Sequence, residues 1–196
     1  MQASRLVTAG FLLTLTCGCP VASSASQVRP PTRLTVPTDV ATIREAVGLI
    51  ADGGTVIVAP GTYFETIDIV GKRVNITGGA PARAGRPVIA GLVPTTAVRL
   101  ADARGLINYG PGGSGRLANL TLVGGDVGVR GFANGPSRPG TVTLSDVSML
   151  RNGRGVAGTF SQLTMDNTVV SGAQSYGVSL ICTGVVNAPE TLPVFI

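Results

Sequence analysis

The sequence predicts an all-β chain wound as a parallel β-helix, a solenoid of stacked coils, with one α-helix capping its start. Three observations predict it. Apolar alternation recurs in runs of only three or four residues, too short for a sandwich and suited to the flat sides of a coil. One unit repeats without gaps: residues 119–129 align on 146–156 at an offset of 27, and the pattern returns at offsets of 21 and 22. Repeats of this length built from short strands signify stacked units. Finally, a single amphipathic helical segment precedes every strand of the repeat.

Composition agrees and excludes several function classes. The 196 residues suffice for one domain with a sizeable core. Aromatic residues are 4 % and Trp is absent, while Gly numbers 28, which favours tight bends between β-branched runs. At 13 % charged residues the chain is neither a coiled coil nor a solvating disordered segment. The net charge of +5 comes from scattered arginines and one lysine, Lys72, so no nucleic-acid footprint is expected. Without histidine there is no Ser-His-Asp or Cys-His site and no imidazole metal site, and three cysteines do not readily make a zinc site. No metal site and no cofactor is evident.

In chain order, residues 1–19 read as an export signal. Arg5 supplies the positive end and Leu6 to Thr16 an apolar stretch, too short to cross a bilayer. Gly18-Cys19 resembles the end of a bacterial lipoprotein signal, which makes Cys19 the candidate lipid attachment site. Cleavage after Ala25, with Ser23 three residues before the cut, is the competing reading. Either way the chain is expected in a bacterial envelope or outside the cell, touching membrane only through a lipid. With Cys19 as anchor, Cys17 leaves with the signal, and Cys182, in the apolar run 178–182, reads as a buried small hydrophobe. Residues 20–37, rich in Ser, Pro and Arg, read as a tether.

The β-helix is expected over residues 38–182. Its helix lies within 38–50, where Ile43, Ala46, Val47 and Ile50 form one apolar stripe. Thr42 and Glu45 have capping-box spacing, and Asp52-Gly53-Gly54 ends the helix. Strands follow at 56–58, 67–69, 74–76, 88–90, 120–122, 142–144, 147–149 and 163–165, about six coils in all, at one strand spacing of ~4.8 Å per coil. The helix covers the first coil, where backbone groups would otherwise form an open sheet edge. The loop 131–140 accounts for the longer first offset. The tail, 183–196, brings no polar capping unit, although solenoids need capped ends. Three readings stand: the chain is a truncated gene product, the tail folds over the stack, or a partner covers it.

Two constellations stand out. Asn119, Asp146 and Asn167 recur at one place in three coils. They read as a structural turn ladder, since Asn and Asp tolerate the left-handed conformation at tight bends; a cation-binding ladder is the alternative. The Gly-Val strands carry the second. With Val129, Val156 and Val178 inward, Arg130, Ala157 and Ser179 point outward, flanked by Val127, Arg154 and Tyr176, with Asp126 in the adjoining turn. Arg130 and Arg154 suit a sugar carboxylate, Tyr176 a pyranose ring, and Asp126 an acid or base role. Asp126 lacks an obvious second carboxylate, so a two-carboxylate glycosidase is hard to assemble. A solvated sheet with two chance arginines is the plainer reading of the same face.

The stretches TIREAV (42–47), GTVIVAPGTYFE (54–65) and KRVNITG (72–78) resemble the first coils of the pectin-lyase-like, right-handed parallel β-helix proteins, and the likeness runs from about Val36 to Ile181. The resemblance implies that fold. It also implies a polysaccharide, often acidic, as partner, met on the face carrying Arg130 and Arg154, and Ca²⁺ only by way of the pectate lyases. Gly61-Thr62-Tyr63-Phe64-Glu65 is similar to the GxYxE motif of pectin methylesterases. The esterase's Asp and Arg motifs and the polygalacturonase NTD, DD, GHG and RIK motifs are absent, and no acid cluster marks a Ca²⁺ site, so no catalytic residue carries over. The expectation is an exported β-helix that binds polysaccharide without catalysis. The alternatives are a glycan-degrading enzyme with a divergent or truncated site, and a structural surface solenoid.

Overall fold

A computed structural model describes residues 29–79, 85–91, 104–133, 137, 139–180 and 186–187. The expected export signal, Cys17, Cys19 and Cys182, most of the expected tether, part of the 131–140 loop and all of the tail except 186–187 lie outside the described residues.

The strands line three parallel sheets, which makes the chain a parallel β-helix, with one helix among the described residues. Sheet A holds β1 (Arg33–Val36), β2 (Thr55–Val58), β5 (Asn75–Gly78), β8 (Gly115–Ala118), β11 (Thr141–Ser145), β14 (Gln162–Asp166) and β17 (Val186–Asn187). Sheet B holds β3 (Thr62–Tyr63), β6 (Val88–Ala90), β9 (Thr121–Val123), β12 (Ser148–Leu150) and β15 (Val169–Ser171). Sheet C holds β4 (Ile67–Ile69), β7 (Gly105–Tyr109), β10 (Val127–Gly131), β13 (Arg154–Gly158) and β16 (Tyr176–Leu180). Each turn of the coil visits A, B and C in that order, so strands three apart in sequence become neighbours.

The register reproduces the sequence repeat. Val127 lies beside Arg154, 27 residues on. Ser148 lies beside Val169, 21 on, and Arg154 beside Tyr176, 22 on. Nine residues join β10 to β11, against three between β13 and β14; the 131–140 loop therefore supplies the whole difference between offsets of 27 and 21. Between β2 and β16 the described strands make five complete coils rather than about six, because wide spacing precedes the regular repeat: Ile76 pairs with Leu117, 41 residues away.

The apolar alternation fills one core. Val56, Ile76, Leu117, Val142 and Leu163 line the inside of sheet A, and Ile67, Ile107, Val129 and Val156 that of sheet C. Burying each such side chain contributes about 1.5–3 kcal/mol.

The helix α1 (Ile43–Leu49) stands where the first coil would place its sheet B and sheet C strands, and it packs against β1, β2 and β4. Thr42 caps it by accepting the Glu45 N–H at 3.1 Å. Two further N–H groups of the first turn are satisfied from outside the helix: Glu65 accepts those of Ile43 and Arg44 at 3.1 and 2.9 Å. At the other end Lys72 Nζ donates to the carbonyls of Val47 and, at 3.2 Å, Gly48. An anion at the N-terminus and a cation at the C-terminus also suit the helix dipole. The stack begins earlier than the sequence boundary: Arg33–Val36, expected in the tether, pairs along its whole length with β2. Leu34 and Val36 are buried there, and an apolar alternation of only two residues between prolines gave little signal.

Candidate functional site

The outer face of sheet C owes its pattern to two consecutive inward positions per strand. Val129 and Val156 are inward and fully buried. A Cβ on Gly128 would sit 3.0 Å from Met149 Sδ, and one on Gly155 would collide with Val170, so these glycines also face the interior. The strand therefore turns Val127 and Arg154 outward, and the alternation then puts Arg130 and Ala157 outward as well. Val127 and Ala157 accordingly form a small buried cluster separate from the main core.

This arrangement gives the face two columns. Val127, Arg154 and Tyr176 stand in register in one. Asp68, Asn108, Arg130, Ala157 and Ser179 stand in register in the other. Arg154 and Tyr176 are thus immediate neighbours, with Tyr176 64 % exposed. Arg130 is one coil and one column away, partly buried, its guanidinium carbon 5.7 Å from the centre of the Phe132 ring. Val178 continues the inward column of Val129 and Val156 but is 39 % exposed, because β16 is the last described strand of sheet C.

Asp126 is not on the sheet face itself. It occupies the corner between sheets B and C, where its main-chain carbonyl accepts the Arg154 N–H at 2.8 Å and its carboxylate receives the Arg104 N–H at 3.4 Å. The corner opens into a cavity of about 350 Å³ lined by Arg44, Phe64, Glu65, Arg104 and Asp126 among others. Phe64, 73 % exposed, flanks the cavity as an aromatic surface. Sequence reasoning missed this gathering, since residues 44, 65, 104 and 126 meet only once the coil register is set.

The carboxylates near this face are held by structural partners. Glu65 accepts from the start of α1. Asp68 accepts from the buried Asn108 amide at 2.9 Å, and Asn108 in turn closes a local loop with the Gly105 N–H and carbonyl, both at 2.9 Å. Among the described residues no group of three or more His, Cys, Asp or Glu side chains is placed to hold a metal ion. The other GxYxE residue, Tyr63, donates its hydroxyl to the Ala59 carbonyl at 2.9 Å; burial, and secondarily the charge of Glu65, raise its pKa.

Asn119, Asp146 and Asn167 lie at the A-to-B bend of successive coils with φ of 53°, 53° and 45°. The Asn167 amide donates to the Asp146 carboxylate, and Arg86 donates to the Asp146 carbonyl at 3.1 Å. At this bend all three residues adopt the left-handed conformation.

No protein-family model, no curated protein and no solved structure matches the chain.

Proposed function

We propose that the chain is an exported β-helix protein of the pectin-lyase-like kind, which binds acidic polysaccharide along the outer face of sheet C and performs no chemistry on it. The observation that carries the binding is the register of Arg154 with Tyr176 and the position of Arg130 on the adjacent column. A guanidinium beside an exposed ring offers a uronate both a charge-assisted partner for its carboxylate and a platform for its pyranose face. The repeat of the coil, about 4.8 Å, lets an extended glycan meet successive strands. The reading without catalysis rests on the carboxylates: Glu65 and Asp68 are bound into the scaffold, which leaves Asp126 without a partner acid among the described residues. Attachment through a lipid on Cys19 would hold such a face at the cell envelope.

A second reading has one observation in its favour. The corner cavity brings Asp126 together with Arg44 and Arg104, a carboxylate and two cations of the kind a lyase would use on a uronate.

Binding of polygalacturonate measured by calorimetry, with ultraviolet detection of unsaturated product in parallel, separates the readings. Binding without product is expected, weakened about tenfold in Arg154→Ala. Product formation lost in Asp126→Asn would establish the enzyme instead.

A further inference from the structure

We propose a second binding site, for an oxyanion, on the outer face of sheet A, where Arg73 and Arg116 bracket a shallow cavity floored by hydroxyl side chains. Three neighbouring coils each send two side chains outward there. Arg73 and Asn75 come from the first, Ser114 and Arg116 from the second, and Thr141 and Thr143 from the third. Arg73 bridges Ser114, Ile76 stands beside Leu117, and Arg116 stands beside Thr143, so the six form a grid two residues wide and three coils deep. They line a cavity of about 330 Å³.

The chemistry of the grid is one-sided. It holds two guanidinium groups, three hydroxyls and an amide, and no carboxylate lines it. The Asn75 amide is used as a spacer between coils: its Nδ2 donates to the Gly53 carbonyl at 3.2 Å and its Oδ1 accepts the Arg116 N–H at 3.3 Å. Thr141 donates to Gln162 at 3.4 Å. Asp52, at the rim, accepts the Arg73 main-chain N–H at 2.6 Å rather than the guanidinium. Neither the Arg73 nor the Arg116 guanidinium has a hydrogen-bond or ion-pair partner among the described residues.

Two guanidinium forks set diagonally across a flat sheet have Cα atoms about 8 Å apart, given ~4.8 Å between strands and ~3.3 Å per residue. The Arg73 side chain lies along the coil before, its guanidinium within 4.0 Å of where a Cβ on Gly53 would stand; a change of rotamer turns it over Ser114, where it and Arg116 share one anionic group with the Ser114 hydroxyl between them. Planar donor forks match the geometry of sulfate, phosphate and carboxylate, and that oxyanion is the ligand class. The site lies on a different sheet from Arg154 and Tyr176 and does not depend on the sheet C reading.

The test is an NMR titration of the full chain with inorganic sulfate, inorganic phosphate and galacturonate, at constant ionic strength. Saturable shifts of the amides of residues 114–116 and 141–143 are expected with at least one of the three, and the one that binds identifies the oxyanion. Arg73→Gln and Arg116→Gln should each weaken it about tenfold. Arg33→Gln, a charge-matched change three coils from Arg116 on the same sheet, should change it less than about twofold. Ser114→Ala, which keeps the charge, should weaken it a few-fold. Arg154→Gln should impair glycan binding on sheet C and leave this site intact. No shift with any of the three anions, or equal losses in Arg33→Gln and Arg116→Gln, would overturn the site in favour of general charge attraction.

Discussion

At the scale of single residues, Glu65 and Tyr109 carry consequences opposite to first appearance. Glu65 belongs to a stretch that looks like an active-site motif, yet both its oxygens hold the first turn of α1. Glu65→Ala is expected to destabilise the fold by about 1–2 kcal/mol in chemical denaturation, with polygalacturonate affinity unchanged; a selective loss of affinity would return Glu65 to the site. Tyr109 is fully buried and its hydroxyl has no hydrogen-bond partner among the described residues. Burial lifts its pKa far above the ordinary value. A folded-state pKa raised in this way contributes stability that is complete below the unfolded value of about 10 and is lost as pH rises beyond it. Denaturation midpoints should hold steady through neutral pH and fall above about 10. Tyr109→Phe should flatten most of that decline, Tyr63 supplying the remainder, and should cost no stability at neutral pH, because the buried donor it removes is unpaired.

At the scale of elements, the sheet C strands show why Gly-Val recurs. The glycine supplies an inward position with no Cβ, and its tolerance depends on the coil that follows. A Cβ on Gly155 would collide with Val170 and with the Gly177 carbonyl, whereas one on Gly177 would meet, among the described residues, only Val170, at 3.8 Å. Gly155→Ala should therefore destabilise by about 1–3 kcal/mol through overpacking, and Gly177→Ala by less than about 0.5 kcal/mol. Equal effects on thermal midpoints would show that β16 is as tightly enclosed as β13. The same strands explain what was legible in the sequence. Their offsets of 27 and 22 are the register itself, and Asn119, Asp146 and Asn167 each mark a left-handed residue at the A-to-B bend of the last three coils. Irregular coils hid the rest. β7 is buried throughout and shows no alternation. Of the candidate site, Arg154 and Tyr176 were legible as neighbours because the repeat aligns them. The corner around Asp126 and the Arg73–Arg116 grid were not, since the first needs the 40-residue step between β4 and β7 and the second the 41-residue step between β5 and β8 to bring their parts together.

At the scale of the whole molecule, a stack of coils is held by nearest neighbours, so its stability is a local property that varies along the axis. β10 has a paired strand on either side, while among the described residues β16 pairs only with β13 and leaves Tyr176 and Val178 exposed. Amide exchange should accordingly be slowest in β7 and β10, faster in β13 and fastest in β16. The proposed glycan face straddles β10, β13 and β16, so ligand and stability are linked: a ligand bound only to the ordered face raises the opening free energy of the strands it bridges by RT ln(1 + [L]/Kd), about 2.7 kcal/mol at a hundredfold excess over Kd. Saturating polygalacturonate should slow exchange in β13 and β16 about a hundredfold while leaving β4, at the far side of sheet C, within a few-fold of its free rate. A uniform slowing across all coils would mean that the glycan acts on the whole stack, and slowing confined to sheet A would move the binding face away from Arg154 and Tyr176.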